Sequence, residues 1–266
     1  MPYIDIDKGK LHYLRLGTGP RVLLAFHGYG EQAASLALFA TELGSAYTLL
    51  SFDLPHHGLS EWPDNEHLTE LHLAQLATSI CSEFGVNTVS LMGYSIGGRV
   101  CLAMLKAAPL FINKVLLMAT DGLRVNKYYY FVTHTMAGRF LFNRFLRNPA
   151  TSLRLTTLFH KTGVISLSYQ RLTAQVLQSA ARRQQLQQAW PCLSKLVYSP
   201  AKLRAVINQN HTPVLIFMGR HDRVLPPFLA ERFITGVNTA RLFILEKGHR
   251  IFDVDNVPYI AQHLLS

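Results

Sequence analysis

The pentapeptide Gly93-Tyr94-Ser95-Ile96-Gly97 lies between a short apolar run, Thr88 to Met92, and a stretch with helical spacing, Gly98 to Ala107. A serine on such a sharp strand-to-helix turn projects its hydroxyl above the sheet edge, and the flanking glycines let the backbone pass through conformations that a Cβ would obstruct. That geometry suits a nucleophile. The same five residues also fit a glycine-rich turn whose serine caps the following helix, so the reading depends on partners elsewhere in the chain.

Serine is a poor nucleophile at neutral pH and needs a base to take its proton and a carboxylate to orient that base. Three other segments offer suitable groups, each just beyond an apolar run. After Val22 to Phe26 comes His27-Gly28-Tyr29-Gly30, where the amide of Tyr29, together with that of Ile96 at the helix start, can face a developing oxyanion. After Val214 to Met218 comes Gly219-Arg220-His221-Asp222, which presents a carboxylate. After Arg241 to Leu245 comes Glu246-Lys247-Gly248-His249, which presents an imidazole able to titrate near neutral pH. Ser95, Asp222 and His249 therefore follow one another in the order serine, acid, histidine.

The elements that must position these groups alternate regularly. Tyr3 to Asp7 and Leu11 to Leu16 read as an opening hairpin around Lys8-Gly9-Lys10. Val22 to Phe26, Tyr47 to Phe52, Thr88 to Met92, Lys114 to Met118, Val214 to Met218 and Arg241 to Leu245 read as strands buried on both faces. Between and after them, Glu31 to Leu43, Leu68 to Phe84, Gly98 to Ala107, Pro227 to Thr235 and Val257 to Leu265 have helical spacing. This alternation predicts an α/β fold with a mostly parallel central sheet flanked by helices, whose reacting groups collect at the carboxyl ends of the strands. The rhythm breaks once. Residues 1–122 and 205–266 are expected to form the core, with 123–204 as a helical insertion.

Charge marks the same interval. Between Asp121 and Asp222 there is no acidic residue and there are fourteen basic ones, while the remaining 12 basic residues face all 16 acidic ones, so the net charge of +10 originates in that segment. Its aromatic residues, Tyr128, Tyr129, Tyr130, Phe131, Phe140, Phe142 and Phe145, interleave with Arg139, Arg144 and Arg147. A basic, aromatic segment of this kind fits a roof over a hydrophobic substrate that also rests on an anionic membrane surface, or equally a cap whose aromatics pack inward and whose arginines are solvated. No nucleic-acid motif accompanies it.

At this point the motifs, taken together, resemble the α/β-hydrolase superfamily over nearly the whole span from His27 to His249. Within it the chain is similar to small carboxylesterase-like members with a helical cap. Asp53-Leu54-Pro55-His56-His57-Gly58-Leu59-Ser60 resembles the D-x-P-x-H-G-x-S loop frequent there. The resemblance implies a serine hydrolase with Ser95, Asp222 and His249 as its triad and the amides of Tyr29 and Ile96 as its oxyanion hole. Asp121, after the Lys114 to Met118 strand, is the rival acid, since some relatives place it there. His27 and His57 are expected to stabilise their own loops, and Tyr94, Tyr128 and Phe131 to line the pocket. Relatives that open epoxides or displace halide carry aspartate where Ser95 stands, which leaves acyl transfer from a carboxylic ester to water as the simplest chemistry. Carbon–carbon bond hydrolysis, a lyase reaction with the same triad and a non-enzymatic small-molecule receptor are the alternatives.

Length and composition are compatible with this. A chain of 266 residues, 49% of them hydrophobic, can bury a large core. Charged Asp5, Asp7, Lys8 and Lys10 occupy the place of a signal peptide's apolar segment. The widely spaced Cys81, Cys101 and Cys192 read as reduced packing residues, so a cytoplasmic location is expected, with peripheral membrane contact as its variant. Neither a metal-ligand spacing nor a phosphate-binding loop occurs, and no cofactor is expected. The oligomeric state is not legible.

Overall fold

In the computed structural model, which describes residues 2–266, the eight strands of the described residues form a single sheet in the order β1-β2-β4-β3-β5-β6-β7-β8. They are β1 (Tyr3–Ile6), β2 (Gly9–Leu16), β3 (Arg21–Phe26), β4 (Tyr47–Phe52), β5 (Val89–Tyr94), β6 (Ile112–Met118), β7 (Val214–Gly219) and β8 (Ala240–Leu245). β1 and β2 form an antiparallel hairpin, β2 pairs antiparallel with β4, and every pairing from β4 to β8 is parallel. The expected strands are all present. One differs in environment: β8 is the sheet edge and only partly buried, because β7 covers one side of it alone.

The helices are α1 (Ala40–Leu43), α2 (Glu70–Phe84), α3 (Ile96–Ala107), α4 (Lys127–His134), α5 (Met136–Arg147), α6 (Pro149–Lys161), α7 (Leu167–Gln178), α8 (Ala180–Cys192), α9 (Pro200–Asn210), α10 (Phe228–Ile234) and α11 (Val257–Leu265). The segment expected as one helix over Glu31 to Leu43 is mostly a 3-10 turn, Ala33–Phe39, closed by the short α1. Asp53 accepts the first-turn amide of Ala33 at 2.6 Å, and Ser51 donates at 2.7 Å to the Ala33 carbonyl, which an α-helix would have used internally.

Alternation along β3 divides the core into two layers. Leu24 and Phe26 pack with α2, α3, α9 and α10, while Leu23 and Ala25 pack with the 3-10 turn, α1 and α11. Between β6 and β7 the chain leaves the sheet. Helices α4 to α8 bury a separate cluster, including Val132, Phe142, Leu146 and Leu177, with Trp190 stacked on Phe142 at 5.3 Å. Helix α9 crosses residue 204 as one element and returns Leu203 and Ile207 to the main core. The hydroxyl of Tyr29 donates to Arg182 O at 3.1 Å, Gln185 to His56 O at 3.1 Å, and Tyr169 to Val224 O at 3.2 Å. Those acceptors and donors on the core side follow β3, β4 and β7, so α7 and α8 lie over the carboxyl ends of the strands. The three cysteines are buried and unpaired.

A buried polar cluster ties the loops after β3 and β4 together. His27 donates through Nδ1 to Gly28 O at 2.7 Å and accepts the Leu54 amide at Nε2, 3.0 Å away. His57 donates to Pro55 O and accepts from the Gly30 amide, while Asp53 accepts from the amides of Ala33 and Leu59 and lies 2.7 Å from His12 Nδ1. Both His27 and His57 need one bare ring nitrogen to do this, so they stay neutral. Burial and then the neighbouring His57 push the His27 pKa down from 6.5 to about 3, and burial lowers that of His57 as well. In the window between those two values the unfolded chain binds a proton that folded His27 refuses, so stability rises with pH there and is lost on acidification. Denaturant titrations from neutral pH to about pH 4 are expected to show a loss of up to a few kcal/mol, with a shallower slope in His27→Gln. An unchanged slope in that variant would show that His27 does not govern the effect.

Candidate active site

Ser95 occupies the turn between β5 and α3 with φ 52° and ψ −117°, a conformation that side-chain-bearing residues rarely adopt and that costs about 1–3 kcal/mol. Its amide donates to Met118 O at 2.9 Å, and its carbonyl accepts from Gly98 and Asp121, so β6 and the first turn of α3 both hold it there. Close packing is essential to this turn: a Cβ on Gly97 would lie 2.1 Å from Phe26 O at the end of β3. The helix-cap alternative for Ser95 does not hold, because its side chain makes no capping hydrogen bond. Its Oγ instead lies 3.1 Å from His249 Nε2.

His249 Nδ1 lies 2.7 Å from Asp222 Oδ2, and the other carboxylate oxygen accepts the amides of Val224 and Leu225 at 2.8 and 2.9 Å. Asp222 is buried, with its charge supported by three donors. Since Nδ1 donates to the carboxylate, Nε2 is left bare to accept the Ser95 hydroxyl. The two loops are held in register by backbone bonds from Arg220 to Leu245 O and from His221 to Lys247 O. The sequence-predicted serine, acid and histidine thus form one continuous hydrogen-bonded line.

Asp121 is engaged elsewhere. It pairs with the buried guanidinium of Arg99 and accepts the Gly122 amide at 2.7 Å. Burial alone would lower the pKa of Arg99, but the Asp121 charge and Tyr129 outweigh it and hold the guanidinium above its ordinary value. The Tyr129 ring covers Arg99 at 4.1 Å and its hydroxyl donates to Trp190 O at 2.7 Å. Asp121 therefore anchors the root of the helical insertion and is too far committed to serve the imidazole.

The expected anion site can be described from its neighbours. Ile96 opens α3, so its amide is among those that a helix leaves without an internal acceptor. Around Tyr29, the Gly28 amide donates to Glu31 Oε2 at 3.4 Å and the Gly30 amide to His57 Nε2 at 3.2 Å, while no acceptor faces the Tyr29 amide among the described residues. A Cβ on Gly28 would lie 3.5 Å from that of Ser95. This brings the loop beside Ser95.

Of the residues expected at the pocket, Tyr94 is buried on the α1/α11 side of the sheet with Met92, because strand side chains alternate, and a Cβ on Gly28 would lie 2.8 Å from its ring. Its ring lies 5.5 Å from that of His249, edge-on to Phe252 at 5.0 Å, and its hydroxyl donates to His249 O at 3.3 Å. Tyr94 supports the histidine from below. Tyr128 and Phe131 are exposed on α4, and neither has a hydrogen bond or ring contact to Ser95, Asp222 or His249 among the described residues. Sequence reasoning missed the pairing of Glu31 with Arg250, which links the loop after β3 to the histidine loop. Opposite charges directly following Gly30 and His249 were the available signal, yet only the fold shows that they meet. Among the described residues no group of side chains is arranged to hold a metal.

The profile of the alpha/beta hydrolase fold matches residues 21–255. A hydrolase of Bacillus subtilis, YugF, itself uncharacterised, is 22% identical over 92% of this chain and 89% of its own length. A 2-hydroxy-6-oxononadienedioate/2-hydroxy-6-oxononatrienedioate hydrolase of Klebsiella pneumoniae is 23% identical over 93% of this chain and 88% of its own. Among solved structures, a thermophilic esterase from Thermogutta terrifontis superposes with a TM-score of 0.71 and 17% identity, covering 100% of this chain and 97% of the esterase. With a profile match over most of its length and a sheet of the same architecture, the chain belongs to the alpha/beta hydrolase family.

Proposed function

We propose that this α/β hydrolase cleaves a carboxylic ester through an acyl-serine intermediate, with Ser95 as nucleophile, His249 as general base and acid, and Asp222 as the orienting carboxylate. The observation that carries the reading is the unbroken line Asp222–His249–Ser95, with contacts of 2.7 and 3.1 Å. Ser95 Oγ attacks the ester carbonyl carbon while its proton passes to Nε2, and the imidazolium that forms is stabilised by the buried carboxylate. The carbonyl oxygen becomes an anion held by the amides of Tyr29 and Ile96, a contribution of about 10²–10³-fold per donor in such sites. Collapse breaks the bond to the alcohol oxygen, which takes the proton from His249. Water then repeats the sequence on the acyl-serine, releasing the carboxylic acid and restoring the hydroxyl.

Helices α4 to α8 act in this reading as a cap over the site, and their exposed aromatic residues Tyr128 and Phe131 favour a hydrophobic acyl group. A second reading has one observation in its favour. The Klebsiella pneumoniae relative is named for a dioate, a dianion, and the stretch between Asp121 and Asp222 here has basic residues and no acidic ones. Carbon–carbon bond hydrolysis of such a dicarboxylate would use the same serine and histidine.

Hydrolysis of p-nitrophenyl esters from acetate to palmitate tests the leading reading, with a fluorophosphonate label located by mass spectrometry. Turnover should fall by at least about 10⁴-fold in Ser95→Ala, and the label should sit on Ser95. Folded protein with neither turnover nor label would sink the esterase proposal, and turnover of a dienedioate with none of any ester would favour the second reading.

The two carboxylates are separated by a paired substitution. Asp222→Asn should lower kcat by about 10³–10⁴-fold with little loss of stability, because the amide misdirects the histidine tautomer. Asp121→Asn should destabilise by about 3–5 kcal/mol, since it strands the buried Arg99 charge, yet keep most of kcat per folded molecule. The reverse pattern, in folded protein, would reassign the acid.

A further inference from the structure

Helix α6 is built inside out. Its buried residues are Ser152 and Thr156, whose hydroxyls donate to the carbonyls of Phe145 and Ser152, while Leu155, Leu158 and Phe159 face solvent. A helix that served only its own protein would reverse that arrangement. The preceding α5 adds to the same kind of surface. It buries Gly138, Phe142 and Leu146 and leaves Met136, Phe140 and Leu141 exposed at 83, 67 and 54%. Met136, Phe140, Arg144 and Arg147 recur at helical spacing, so apolar and guanidinium groups share one face of α5. Exposed apolar side chains gathered in this way mark an interaction surface.

Charge indicates what covers it. Arg144, Arg147, Arg154 and Lys161 stand among these apolar groups, and none of the four is in an ion pair among the described residues. No acidic residue lies anywhere between Asp121 and Asp222. A second copy of the chain would bring this basic face against itself, which Coulomb repulsion opposes. A shallow groove on α6, lined by Leu153, Arg154, Thr157, Leu158 and Lys161, sets apolar side chains between two cationic groups, the combination that suits an acyl chain beneath a phosphate. No helix of the described residues is long and apolar enough to cross a bilayer.

We propose that α5 and α6 dock the protein peripherally on an anionic phospholipid surface, with Met136, Phe140, Leu155, Leu158 and Phe159 entering the acyl boundary and the neighbouring arginines and Lys161 at the headgroup phosphates. The docking does not depend on the hydrolase reading, because it needs no turnover. If both hold, the insertion brings the site to hydrophobic esters dissolved in the bilayer.

Flotation with vesicles of phosphatidylcholine alone and of equimolar phosphatidylcholine and phosphatidylglycerol tests the proposal, at low and high salt. Partitioning onto the anionic vesicles should exceed that onto neutral ones by at least about 25-fold, on the order of what two basic residues supply, and should weaken with salt. Arg144→Gln with Arg147→Gln should lose about 25-fold, at about five-fold per basic residue near the surface. Phe140→Ser with Leu158→Ser should also release the protein, and both double variants should keep the wild-type melting temperature and hydrolysis of a short soluble ester. Ser95→Ala should float as the wild type does, so failure of the catalytic reading and failure of docking are separable. Absence of binding to either vesicle, equal binding to both, or wild-type flotation by both double variants would overturn the proposal. So would a concentration-dependent dimer in sedimentation that Phe140→Ser with Leu158→Ser abolishes.

Discussion

The structure depends on one strained residue. Ser95 is held at a positive φ by hydrogen bonds that reach from β6 and from the first turn of α3, and its side chain is free for His249 because none of those bonds uses it. The strain sets conditions on its surroundings. Gly97 must lack a side chain for α3 to start against the carbonyls at the end of β3, and the parallel register of β3, β5 and β6 must place Phe26 and Met118 within reach. A sheet buried on both faces can over-determine one residue in this way, since the large apolar contact area that fixes the strands far exceeds the local cost.

The same sheet gives two chemically similar carboxylates different tasks. Asp121 and Asp222 follow the adjacent strands β6 and β7, and both are supported by backbone amides. What separates them is the permanent cation. Arg99 faces Asp121 and neutralises it, whereas among the described residues Asp222 pairs with no arginine or lysine and its second oxygen meets the imidazole. The first pair is structural, joining α3 to Tyr129 and through it to Trp190 of the helical insertion. The Ser95 turn and the insertion therefore share an anchor, Arg99, four residues beyond Ser95.

Much of this was legible in the sequence, for identifiable reasons. Short apolar runs mark six of the eight strands, and the opening hairpin is legible from its turn at Lys8-Gly9-Lys10. Ser95, Asp222 and His249 were legible because each directly follows such a run. The helix expected over Glu31 to Leu43 was read from apolar spacing alone, and the spacing does not reveal that Asp53 and Ser51, distant in the chain, would capture its polar groups. The motif alone does not say which way the Tyr94 ring points; strand alternation with Met92 puts it on the α1/α11 side of the sheet, against His249.

The pairing of Glu31 with Arg250 shows what a one-dimensional reading leaves out. Glu31 also accepts the Gly28 amide, and Arg250 follows His249 and lies over the rings of Phe252 and Tyr94. The loop after β3 and the loop that carries His249 are thus joined by an ion pair, with Tyr94 below both. The pair is partly exposed, so its strength as a stabilising interaction is small. Its importance lies in geometry: with the Gly28 and Gly30 amides tied to Glu31 and His57, rotation of the Tyr29 peptide away from Ser95 would break contacts that also fix the histidine loop. The loop after β3 and the His249 loop are held together in this way although 219 residues separate Glu31 from Arg250 in the chain.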